Sequence, residues 1–157
     1  MSAPQIFGLQ FALSLMVYGL IARWYVAPRL AALPLPRALT PLLFLHATRY
    51  LGMVFLVPTV VGDELPSEFA LPAAYGDLLA SLLALVAIVA LRAGWSLALP
   101  LVWLFSVVGT LDLLNALVQG NRLHVQLGAA YYIPTVAVPA LLVTHAMIFA
   151  MLVARRG

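Results

Sequence analysis

Residues 40–62 read TPLLFLHATRYLGMVFLVPTVVG, and their reading decides the fold. The run is long and oily enough to be a membrane-spanning helix, since about 20 residues at 1.5 Å rise cross a hydrocarbon core. Yet His46 and Arg49 sit inside it, three residues apart and therefore on one helical face. A guanidinium in such a helix needs partners, so the rest of the chain must be searched for them.

The composition places the run in an integral membrane protein. Of 157 residues 65% are hydrophobic and 8% charged, with mean hydropathy +1.10. So few polar groups do not cover a water-soluble domain of this size. The length suits one bundle, so residues 1–157 are read as a single domain. Cysteine is absent, which excludes thiol redox chemistry and Cys-ligated zinc or iron–sulfur sites. All eight cationic side chains are Arg, and without lysine no retinal or pyridoxal Schiff base forms. The pI near 9.7 does not indicate nucleic acid, because the arginines are scattered and flank apolar segments.

Five spans are expected, at about 5–26, 41–61, 70–91, 97–119 and 131–153. They run continuously apolar, unlike the alternating strands of a barrel, so the fold class is an all-α transmembrane bundle. Thr40 reads as the N-cap of the second span with Pro41 at its first position, and Ser96 as the N-cap of the fourth. The Pro-rich stretch 27–40 reads as a linker on the inner surface. Pro134 marks a start for the last helix, and Pro139 should then kink it. The segment lacks a charged n-region before residue 5, so the first span reads as uncleaved.

Orientation follows from charge. Arg23, Arg29, Arg37, Arg92, Arg155 and Arg156 fall on one side of an alternating bundle, and Arg122 on the other with Asp63, Glu64 and Glu68. The positive-inside rule gives N-terminus outside and C-terminus in the cytoplasm, in a bacterial inner membrane. Trp24, Tyr25 and Trp95 then lie at the inner interface, and Tyr131 and Tyr132 at the outer one.

Polar residues recur at helical spacing within the first four spans: Gln10, Ser14 and Tyr18; His46, Arg49 and Tyr50; Asp77 and Ser81; Asp112, Asn115 and Gln119; the fifth carries Thr135, Thr144 and His145 less regularly, the threonines off the line of His145. A charge at the bilayer centre costs roughly 3 kcal/mol, so Arg49, Asp77 and Asp112 together would cost about 9 kcal/mol, as much as a small protein's whole stability. The arrangement that removes this cost turns the stripes inward. Arg49 is then neutralised by Asp77, Asp112 or both, and one acid is left to be protonated or paired with a histidinium. By depth, His46 and His145 form an inner layer, Asp77, Asp112, Asn115 and Gln10 an outer one, with Arg49 between. Asp77 follows Tyr75-Gly76, a turn signal, so an N-cap is an equal reading for it.

The function these residues suggest is binding, and moving, a small ligand in a buried pocket. Arg49 would anchor an anionic or carbonyl group, Asp112, Asn115 and Asp77 would supply further contacts, and His46, His145, Tyr50 and Gln10 would complete the lining. A homodimer would supply the symmetry that a chain without internal repeats lacks for transport. Three readings compete: a haem b or metal protein with His46 and His145 as ligands, an intramembrane enzyme acting on a lipid or isoprenoid through Asp112, and a structural subunit whose polar groups serve helix packing. No HExxH, GxSxG or phosphate-loop motif favours the enzyme.

Overall fold

A computed structural model describes residues 1–62 and 65–154. Asp63, Glu64, Arg155 and Arg156 lie outside the described residues, so their part in the charge asymmetry is not seen. Of the described residues 88% are helical and none lies in a strand. Within that set, five helices are long and apolar enough to cross a membrane. These are α1 (Ala3–Ala31), α2 (Leu35–Leu56), α3 (Ser67–Ala93), α4 (Ala98–Arg122) and α5 (Gly128–Ala154). A single extra turn, Pro58–Val61, follows α2.

Several boundaries differ from those read off the sequence, and each has a local cause. The stretch 27–40 is not an irregular linker. Helix α1 continues through Ala31, and α2 already begins at Leu35, with Pro36 in its first turn where proline costs no bond. Thr40 and Pro41 are therefore inside α2, and the N-cap position is Pro34. The Thr40 hydroxyl instead donates to the Pro36 carbonyl at 2.7 Å, near the backbone position where Pro41 lacks its N–H. Ser96 is not the cap of α4; Leu97 holds that position and no side chain caps it. Helix α3 starts at Ser67 and absorbs Pro72, so Asp77 stands ten residues inside it and is not an N-cap.

Prolines shape α1 and α5 without breaking them. Each helix widens into a π turn that ends two residues before a proline: Ala22–Val26 before Pro28, and Ile133–Ala137 before Pro139. A proline cannot donate to the carbonyl four residues back, and its ring crowds that carbonyl, so an extra residue per turn relieves both. The last helical span accordingly begins before Pro134, at Gly128.

Helix α3 is the centre of the molecule, packed between α2 and α4. Its seam is small: Ala73, Ala74, Ala80, Ala84, Ala87 and Ala90 are buried, which brings neighbouring backbones close. One apolar core fills the end where α1 and α3 finish, around Leu39, Leu43, Ala84, Phe105 and Ile148. A second fills the far end, around Phe55, Phe69, Ala74 and Leu127. Helix α1 stands apart, packing chiefly on α5, and none of its residues from Ala3 to Ile21 is buried. Large apolar side chains are exposed along all five helices, as on Leu13, Leu51, Leu82, Leu111 and Val153.

Candidate functional site

Between the two apolar cores the chain buries an ion network. Arg49 is 3% exposed. Its Nε donates to Asp77 Oδ1 at 2.7 Å, its Nη1 to the Gly109 carbonyl at 3.0 Å, and its Nη2 to Asp112 Oδ2. One guanidinium from α2 thus ties α3 to α4, and both acids answer the question posed by residues 40–62. Each carboxylate meets the fork through one oxygen, which leaves one excess negative charge in the cluster if both are ionised. The charge-assisted geometry is the strong kind, and a planar fork suits it where an ammonium would not.

Three glycines make the space. A Cβ on Gly52 would run into the Asp77 carboxylate, one on Gly76 into that of Asp112, and one on Gly109 would meet Arg49 Nη1 and His145 Nε2, both at 3.0 Å. Each glycine lies on one helix and receives a polar group from another. Gly76, which reads as a turn in the sequence, is the seat for Asp112 in the middle of α3.

The backbone under Arg49 is unusual. Helix α2 is α-helical to Ala47 and then winds as a 3₁₀ helix over Thr48–Leu56. Nine residues is long for this form, whose bonding geometry is poorer. Side chains offset the change at the junction: Ser81 of α3 donates to the Ala47 carbonyl at 2.6 Å, and Thr48 to that of Leu45 at 2.6 Å.

The histidines form a second buried group. His46 and His145 are 0% and 1% exposed, with ring centroids 4.0 Å apart. Phe105 lies against both, at 5.0 and 5.2 Å. The Thr144 hydroxyl lies 3.0 Å from His46 Nε2 and within hydrogen-bond reach of the Ala140 and Leu141 carbonyls of its own helix, at 2.9 and 3.0 Å. His46 Nδ1, both ring nitrogens of His145, Ser106 Oγ and Thr110 Oγ1 are buried without a hydrogen-bond partner among the described residues.

The pair does not suit a haem. Axial ligands face each other across a porphyrin plane, and rings in mutual contact leave no room for the macrocycle. For a metal, no third His, Cys, Asp or Glu joins them in a ligand group among the described residues.

Other sequence candidates lie elsewhere. Gln10 is exposed and accepts from the Tyr131 hydroxyl at 2.7 Å, tying α1 to α5. Asn115 and Tyr50 are exposed on the outside of the bundle. The outer layer of Asp77, Asp112, Asn115 and Gln10 therefore reduces to the two acids.

A cavity of about 420 Å³ lies beside the network. Helix α1 covers it with Tyr18, Ile21, Ala22 and Val26, α2 and α5 form most of the remaining wall, Asp77 of α3 and Leu113 of α4 complete it, and both π turns contribute. Its lining is apolar apart from Arg49, Asp77, Thr48, Thr144 and Tyr18. Its volume falls within the range of about 300–1,000 Å³ usual for small-molecule pockets. Sequence reasoning missed it because the walls come from α1, α2 and α5 at once, and no spacing within one helix reports that.

Residues 6–153 match the model of one protein family, whose description is Domain of unknown function (DUF8737). The chain belongs to that family. The match takes in the ion network, the histidine pair and every residue lining the 420 Å³ cavity, so the whole site lies within the DUF8737 region. No curated protein and no solved structure matches this DUF8737 chain.

Proposed function

We propose that this chain is a multi-pass membrane protein, N-terminus outside and C-terminus in the cytoplasm of a bacterial inner membrane, that binds a small amphiphile from the bilayer. The apolar body of the ligand occupies the 420 Å³ chamber, and a head group that donates hydrogen bonds meets Asp77. The supporting observation is the chamber itself: oily walls that end on a carboxylate and a guanidinium. Helix α1, thinly packed and set over the chamber, gives a lateral way in from lipid.

Arg49 takes a different part from that of an anion anchor. Its fork is already filled by two carboxylates and a carbonyl, so an incoming anion would have to displace an acid. Arg49 instead fixes the acids, and Asp77 is the group that faces the chamber. The readings as haem protein and as enzyme gain nothing from the geometry. Carriage of the ligand across the membrane, and a homodimer that would perform it, extend the binding reading without being required by it.

Native mass spectrometry of protein taken up in mild detergent tests binding. A single class of small molecule should accompany the wild type and be lost from Ala140→Trp, which fills the chamber, while Leu111→Ala on the outer surface retains it. Equal retention in Ala140→Trp, with its thermal melt unchanged, would refute the chamber as the binding site.

A further inference from the structure

Two cavities meet at Asp77. Besides the 420 Å³ chamber, a pocket of about 40 Å³ lies on the far side of the network, between Asp112 and the second apolar core. Asp77 lines both. Leu113, Ile133 and Val138 also line both, and form the partition between them. Ile133 opens the π turn of α5 and Val138 follows it, so part of the partition hangs on the least regular backbone of that helix.

The charges at this partition do not balance. Arg49 of α2 brings one positive charge and the two acids bring two negative ones. From α5, His145 places Nε2 beside Gly109, where Arg49 Nη1 also lies; it is 1% exposed and neither ring nitrogen has a partner. From α2, His46 lies against it with the rings tilted by 44°, and Tyr18 is the one titratable side chain that α1 presents to the chamber. Among the described residues, Arg49 is the one Arg or His that lines either cavity.

We propose that Asp77 and Asp112 together hold one exchangeable proton, which reaches them from the large chamber on one side and the small pocket on the other. A proton suits the pocket better than a metal ion. Apart from the two acids its walls are apolar, with Phe55, Phe69, Ala73, Leu117 and Pro134 among them. They supply no oxygen shell of the six or so ligands that hard cations take, about 6–8 for calcium. The oxygens the fork leaves free, Asp77 Oδ2 and Asp112 Oδ1, pack against glycine backbone on neighbouring helices. A hydroxyl proton on one of them needs a single acceptor, and a pocket of this volume admits a water to carry the proton on. Protonation and release balance without any other reactant: one O–H bond forms on entry and the same bond breaks on exit. The unpartnered imidazole of His145, beside Gly109 with Arg49 Nη1, is a further titratable group of the site.

This goes beyond ligand binding and stands without it. Infrared difference spectra of the protein in nanodiscs, taken between acid and alkaline pH, read the proton directly. One protonated carboxyl band is expected in the wild type at neutral pH. It should shift when aspartate carries a ¹³C carboxyl and vanish in Asp77→Asn. In proteoliposomes under an imposed potential, an internal pH dye should report proton uptake at least tenfold faster than in Asp77→Asn. The isotope shift is measured on the wild type, so the test survives if the variant fails to fold. Absence of an aspartate band in folded wild type would overturn the proposal, as would uptake that follows sodium instead of the proton. Ligand retained in the mass spectrum alongside such a result would leave the binding reading intact.

Discussion

At the scale of single residues, stability and chemistry rest on opposite sides of the same contacts. Removing Arg49 leaves two partly buried carboxylates without their shared cation. Arg49→Met should therefore destabilise the fold by about 3–5 kcal/mol, as breaking buried pairs does, read as a lowered melting temperature in detergent. Arg49→Lys should recover little of it, because one ammonium cannot span Asp77 on α3 and Asp112 on α4 at once. Replacing the three together, as Arg49→Met with Asp77→Leu and Asp112→Leu, should restore most of the loss, since apolar packing can match a buried ionic group. A triple variant as unstable as the single one would show that packing around the network is intolerant for another reason. The histidines give the converse case. His145→Phe removes two unpartnered nitrogens and keeps an aromatic ring against His46, Phe105 and Phe149. It should raise stability by about 1–3 kcal/mol, the cost of a buried unsatisfied group, while any proton exchange through this position is lost.

At the scale of helices, close approach decides. Gly52→Ala, Gly76→Ala and Gly109→Ala each put a methyl where a neighbour's polar group sits, so each should lower the melting temperature sharply and loosen the network. Gly8→Ala and Gly19→Ala meet nothing within 4 Å and should be neutral or gain up to roughly 1 kcal/mol of helix propensity. Equal melts for both sets would mean the helices separate more easily than the contacts imply. The same scale explains which local signals misled. Thr40-Pro41 has the chemistry of a helix start, yet α2 begins at Leu35, with Pro36 in its first turn and Pro41 carried inside the helix. Tyr75-Gly76 has the chemistry of a turn, yet it lies mid-helix, because the missing side chain serves a neighbour instead of a bend. The polar stripe of α2 was legible for His46 and Arg49, three residues apart. It failed for Tyr50, which is exposed on the outside of the bundle.

At the scale of the whole molecule, the proposed orientation is open to chemical labelling, helped by the lack of native cysteine. Ser2→Cys should react with an impermeant maleimide on intact cells, and Ser96→Cys only after the membrane is breached. Reaction of both from outside would reverse or abolish the arrangement. What the sequence by itself determined is the class and the cost. Hydropathy counts every residue alike, so five helical runs and the need to neutralise Arg49 follow from composition and a periodicity of 3.6. Only the tertiary structure decided that Arg49 takes both acids at once, that the two imidazoles touch each other, and that α1 roofs a chamber against α2 and α5. Those outcomes depend on distances between helices set by glycines, alanines and π turns on different segments. A one-dimensional pattern records the face each residue takes on its own helix, and is silent about which face of another helix it will meet.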